Sequence, residues 1–126
     1  MTETIRAGLD TYVHARTEGA PGAPLLLTFH GTRGDETQFH GLSAELVPGA
    51  HVISPRGDVV EGPHARFFRR TAEGVYDMDD LARAVATMGA FVAAARRETG
   101  AGRVIGLGYS NGANILAATA FARPDL

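Results

Sequence analysis

Hydrophobic and polar positions alternate through residues 8–17, with Leu9, Thr11, Val13 and Ala15 on one side and Asp10, Tyr12, His14 and Arg16 on the other. Such a period of two predicts a half-buried strand, antiparallel and near a sheet edge. Gly19–Pro24 reads as a turn. Leu25–Phe29 is apolar on both faces, as a central parallel strand should be, and stops at His30-Gly31. Residues 36–47 predict a helix with Phe39, Leu42 and Leu46 on its buried face, ended by Pro48-Gly49. His51–Ser54 is a further short strand, and residues 55–75 form a long connection rich in Arg, Gly and Pro.

From 77 to 99 the pattern changes to helical steps, with Met78, Leu81, Val85, Met88 and Val92 on one face. Asp77, Asp79 and Asp80 at its start and Arg96 and Arg97 at its end oppose the helix dipole, and Gly100 suits a left-handed cap. Arg103–Leu107 reads as a buried strand, and 111–122 as an Ala-rich helix ending before Pro124. Strands and helices alternate from residue 25 onward, which predicts an α/β fold: a mostly parallel sheet, right-handed crossovers and helices on both faces. Residues 1–126 read as one domain.

Composition narrows the function. The chain has 126 residues, 44% hydrophobic and 21% charged, with a formal net charge of −2. No basic footprint for nucleic acid or an anionic membrane is present. All twelve basic residues are Arg, and there is no Cys. Disulfides, thiolate metal sites and a Cys nucleophile are thereby excluded. Met1–Asp10 does not read as a signal peptide, and no apolar run approaches the roughly 20 residues that span a bilayer. The expected location is the cytoplasm. No His spacing suits a metal, so no metal site is expected.

The chemistry is concentrated in Gly108-Tyr109-Ser110-Asn111-Gly112, a G-x-S-x-G sequence. The pattern alone is weak, and its context is stronger. It lies between an apolar strand and a helix, where a nucleophile elbow lifts a Ser hydroxyl clear of the sheet. Small residues at 108 and 112 let strand and helix close on each other. A plain helix N-cap would need neither Gly. A dinucleotide fingerprint fails, because Asn111 occupies its third Gly position. His30-Gly31-Thr32-Arg33-Gly34-Asp35 follows another parallel strand and reaches the same sheet edge. Thr32 and Asn111 are the candidate backbone N–H donors to an oxyanion. Phe67 and Phe68 either line an acyl pocket or anchor the long connection. Arg69 and Arg70 read as loop-fixing ion-pair donors. Arg56-Gly57-Asp58 matches an integrin-binding tripeptide by coincidence.

These stretches resemble the phospholipase/carboxylesterase family of α/β-hydrolases, and most of all its small bacterial esterases associated with hydroquinone metabolism. The matching residues are 30–36, 53–57, 66–70, 72–74 and 108–114. The resemblance implies Ser110 as nucleophile, Thr32 and Asn111 as oxyanion donors, a small aryl or alkyl ester as substrate, and no cofactor. This fold takes its triad in the order Ser, Asp/Glu, His. After Ser110 there is one acid, Asp125, and no His. The chain is therefore expected to be the N-terminal part of such a domain, cut after the nucleophile helix, with its C-terminal strands missing and inactive by itself. The rival expectation is a truncated, non-catalytic fragment or ligand-binding module. Expected partners are a small-molecule ester and, in the assembled protein, a second copy in a homodimer.

Overall fold

The computed structural model describes residues 8–72 and 74–126. Residues 1–7, where no signal peptide is expected, and Glu73 lie outside the described residues. Four strands form the main sheet: β1 (His14–Thr17), β2 (Leu25–Phe29), β3 (His51–Pro55) and β8 (Val104–Gly108). Their order is β1-β3-β2-β8. β3, β2 and β8 are parallel, and β1 joins antiparallel at one edge. The result is a mixed sheet with helices on both faces. Odd positions of β2 (Leu25, Leu27, Phe29) meet the long helix α2 (Met78–Thr99) and α3 (Asn111–Ala122) in the larger core. Leu26 faces the opposite way, with Ala50 and Val52 in a smaller cluster, on the side of the short helix α1 (His40–Leu46).

Every residue of β2 is buried, which is why its sequence is apolar without alternation. In α2 the predicted caps are in place. The Asp77 carboxylate accepts from Asp80 N–H, and Gly100 adopts φ 69°. That left-handed conformation carries no Cβ penalty in Gly. Among the predicted face residues, Met88 and Val92 are buried while Met78 is exposed. Phe91 is the largest α2 side chain in the core.

Several expectations are corrected. Residues 8–17 are not one strand: a 3-10 turn over Leu9–Thr11 precedes β1. The turn shifts the alternation, so Tyr12 is buried and packs edge-on against Phe91 at 5.1 Å, while Val13 is 60% exposed. The helix predicted over 36–47 is only α1, and Leu42 and Leu46 are 45% and 53% exposed. Its inward side is polar instead. His40 Nδ1 bonds Ser54 Oγ at 2.7 Å, Ser54 Oγ accepts from Thr28 Oγ1 at 2.6 Å, and the Ser43 hydroxyl donates to the Phe39 carbonyl. Satisfied polar groups can be buried in this way at little cost.

The strand predicted over 103–107 is half-buried rather than buried, because β8 pairs with β2 alone and forms the sheet edge among the described residues. The 55–75 connection is also structured. It folds into two small hairpins, β4 (Val59–Glu61) with β5 (His64–Arg66), and β6 (Arg70–Ala72) with β7 (Val75–Tyr76). Arg83 of α2 holds this connection through Asp58 at 2.8 Å, and Asp80 accepts from Arg69 N–H at 2.6 Å.

Phe67 and Phe68, between the hairpins, are wholly buried in the larger core. Phe67 contacts the rings of Phe29 and His30, and Phe68 that of Tyr76. The pocket-lining expectation for the pair is thus replaced by loop anchoring. Phe67→Ala should cost about 3–5 kcal/mol of stability, the range for a buried aromatic. A chemical-denaturation midpoint would measure it.

Candidate active site

Ser110 stands where β8 turns into α3. Its backbone, at φ 55° and ψ −119°, lies outside the regions open to an ordinary L-residue. The turn is held from both sides: Tyr109 N–H donates to Phe29 O at 3.2 Å, and Gly112 N–H donates to Tyr109 O at 2.9 Å. The two flanking glycines have separate reasons. A Cβ on Gly112 would collide with the carbonyl oxygens of Phe29 and His30. One on Gly108 would lie 2.8 Å from Gly112 O and 2.9 Å from Ala113 Cα. No side chain caps α3. The Ser110 hydroxyl is therefore not spent as an N-cap, and Ser110 is exposed.

Beside it opens a polar cleft of about 380 Å³ whose lining includes Thr32, Arg33, Arg66, Arg70, Tyr76 and both Asn111 and Asn114. Thr32 and Asn111, from different strand ends, thus meet at Ser110. Neither of their backbone N–H groups donates a hydrogen bond among the described residues. Both residues are held by one segment. The Phe67 N–H donates to Asn111 Oδ1 at 2.8 Å, and Arg66 Nη1 donates to Thr32 Oγ1 at 2.7 Å. Phe67 and Phe68 do not reach the cleft.

Arg66 is the residue the sequence reading passed over. It is 3% exposed, and its Nε donates to the Phe68 carbonyl at 3.1 Å. Burial, and then the neighbouring Arg70, push its pKa below the ordinary arginine value, with Glu61 opposing. Its sequence signal was its place in the 66–70 stretch that carries the family resemblance, which attached no role to it. Arg70 fulfils the ion-pair expectation, with Glu61 at 2.6 Å, and Arg69 lies 3.8 Å from Asp80.

No His lines the cleft. His30, nearest by topology, is buried with both nitrogens engaged: Nδ1–H donates to Gly31 O at 2.8 Å, and Nε2 accepts from Gly57 N–H at 3.0 Å. Burial pushes its pKa below 6.5. His40 is engaged by Ser54 and Thr17. His14 bonds Tyr12 O, and His51 Nδ1 accepts from Gly19 N–H. His64 lies in β5, in a different cleft that includes Arg56 and Asp58. Asp125 is exposed and paired with Arg123 at 2.8 Å. Among the described residues no group of three or more His, Asp or Glu could hold a metal, and no helix is long and apolar enough to cross a membrane.

No protein-family model matches the chain. It is 41% identical over 104 residues to the protein named "Putative hydrolase MhqD" of Bacillus subtilis, an overlap covering 81% of this chain and 52% of that protein. A crystal structure of an Agrobacterium tumefaciens protein of unknown function superposes with a TM-score of 0.88 at 55% identity, over 91% of this chain and 56% of that one. A Bacillus cereus carboxylesterase superposes with a TM-score of 0.79 at 37% identity, over 85% and 52%. The chain spans about half the length of the curated relative it matches. The chain is thus homologous to a protein named as a hydrolase and structurally similar to a carboxylesterase.

Two outcomes follow from this geometry. Gly112→Val should destabilise the protein by at least the roughly 1–3 kcal/mol of ordinary overpacking, since the obstacles are backbone oxygens. Thermal melting would show it. His30 and His40 both have folded pKa values lowered by burial. Below pH 6.5 the unfolded chain binds protons that the folded one refuses, so stability is complete above that pH and falls as pH drops through it. Melting temperatures between pH 7.5 and 5 should decline accordingly. Imidazole nitrogen shifts in NMR should give His30 the Nδ1–H tautomer, with a midpoint under 6.5.

Proposed function

We propose that the protein is a serine carboxylesterase that hydrolyses small carboxylic esters through an acyl-enzyme on Ser110. The observation that carries this reading is the Ser110 backbone, strained at φ 55° between a strand and a helix, with its hydroxyl uncommitted and two unpaired N–H groups in the same cleft. Strain of this kind costs on the order of 1–3 kcal/mol and persists where the surroundings over-determine it. A nucleophile elbow provides that setting.

In the proposed reaction Ser110 Oγ bonds to the ester carbonyl carbon, and the carbonyl oxygen takes negative charge. The Thr32 and Asn111 N–H groups, with the positive end of α3, stabilise that charge. The tetrahedral centre collapses as its bond to the alcohol oxygen breaks, and the alcohol leaves with a proton. Water then attacks the acyl-enzyme, frees the acid and returns the proton to Ser110. A general base must carry the proton. The described histidines are engaged elsewhere or lie away from the cleft. The base and its acid partner are therefore assigned to chain following α3 in the complete enzyme, in keeping with the Ser, Asp/Glu, His order of this fold. The small bacterial esterases associated with hydroquinone metabolism are the proposed branch.

In the complete enzyme Ser110→Ala should lower turnover of an aryl acetate by a factor on the order of 10⁶, with the fold intact. Residues 1–126 expressed alone should not label rapidly with a fluorophosphonate, because an oxyanion hole without a base leaves only about 10³–10⁴ over water. Rapid labelling of that fragment at Ser110 would place the base among the five upstream histidines.

A further inference from the structure

The cleft beside Ser110 gathers positive charge in a protein whose formal net charge is −2. Arg33, Arg66 and Arg70 all line it, and no acidic residue does so among the described residues. Among the described residues one carboxylate, Glu61, stands behind them. It takes two hydrogen bonds from Arg70, at 2.6 and 3.0 Å, and lies 3.9 Å from Arg66 Nε. Arg33 makes no ion pair or hydrogen bond among the described residues, although its φ of 80° places it in a conformation that side chains seldom adopt.

Arg66 is the decisive residue. It is buried, yet its nearest carboxylate is beyond hydrogen-bond range. Its protein partners are two neutral oxygens, the Phe68 carbonyl and the Thr32 hydroxyl, and Nη2 has no hydrogen bond among the described residues. A desolvated guanidinium is offset fully only by an anion, and its planar fork matches a carboxylate with two parallel N–H···O bonds. An ordinary structural arginine would have that anion within the protein. Here a charge met only by Glu61 at 3.9 Å among the described residues opens onto the cleft beside Ser110. Tyr76 and Asn114, bonded to each other at 2.7 Å, add neutral polar groups to the same lining. The lining given by the described residues is polar apart from Gly74, and the apolar candidates Phe67 and Phe68 are turned into the core.

We propose that the cleft selects esters bearing a carboxylate in addition to the scissile group, with Arg33 and Arg66 receiving the carboxylate while Ser110 faces the ester carbonyl. The inference rests on the esterase reading of Ser110 and adds a substrate class to it. The part of the cleft formed by the described residues, about 380 Å³, has room for a half-ester of a short dicarboxylic acid.

The test compares 4-nitrophenyl hemisuccinate with its neutral methyl ester, 4-nitrophenyl methyl succinate, on the complete protein. The anionic ester should have a kcat/KM about tenfold or more higher, the scale of one charge-assisted hydrogen bond. The preference should sit mainly in KM and shrink with added sodium chloride. Arg33→Gln should lower the anionic-to-neutral ratio several-fold. Calorimetry on Ser110→Ala supplies a readout without turnover: monomethyl succinate should bind measurably, and dimethyl succinate much more weakly. Equal binding of the two, or no binding of the monoanion, would overturn the proposal whatever the enzyme hydrolyses. Selective binding of the monoanion by a protein whose wild type hydrolyses no ester would keep the carboxylate subsite and remove the esterase reading.

Discussion

The site depends on the grip that Arg66 and Phe67 exert on two residues far away in the chain. One backbone N–H, from Phe67, holds the Asn111 side chain, and one guanidinium nitrogen, from Arg66, holds the Thr32 hydroxyl. Thr32 follows β2 and Asn111 opens α3. Without this bracket the two N–H groups beside Ser110 would depend on loop geometry alone. Gly57 makes the bracket fit. A Cβ there would run into the Arg66 carbonyl, and its N–H is held by His30 Nε2. The Phe67 ring lies 4.7 Å from the His30 ring, which closes a buried circuit linking β2, the 55–75 connection and α3. In a low-dielectric interior such satisfied polar contacts specify one arrangement, because any partner withdrawn leaves another unpaired.

His30 shows why a residue type and a position do not make a catalyst. It sits at the end of β2, close to the edge where chemistry occurs in this architecture. Its two nitrogens are nonetheless used up in fixing the backbone at Gly31 and Gly57, and burial keeps it neutral. Strain follows the opposite logic. Ser110 adopts a backbone conformation that L-residues avoid, and surrounding oxygens at Gly112 and hydrogen bonds at Tyr109 leave it no alternative. Stability drawn from the core and the bracket offsets that local cost.

The hairpins between β3 and α2 give the cleft its character. They bring Arg66 and Arg70 to its rim, and among the described residues Glu61 pairs with Arg70 at 2.6 Å and lies 3.9 Å from Arg66. Asp58 and Asp80 are engaged elsewhere, by Arg83 and the Arg69 backbone. Ion pairing among the described residues thus leaves Arg33 and the weakly paired Arg66 on the cleft beside Ser110.

Much of the frame was legible in the chain itself. The uninterrupted apolar run of 25–29 marks a strand buried on both faces, the caps of α2 are written in Asp77 and Gly100, and Gly-x-Ser-x-Gly between a strand and a helix marks the turn at Ser110. These are local matters, decided by side-chain period, capping and the size of one Cβ. What the tertiary structure decided is everything that depends on partners distant in sequence. Val13 and Tyr12 exchange sides because a 3-10 turn precedes β1 and Phe91 offers Tyr12 a ring. Leu42 and Leu46 face outward because His40 and Ser43 find oxygens inside. Phe67 and Phe68 belong to the core, and Arg66, to which the matching stretch 66–70 attached no role, becomes the buried cation of the site. Hydrophobic period predicts which side of an element is apolar, but whether a polar or charged group can be buried depends on the donor or acceptor that folding places opposite it.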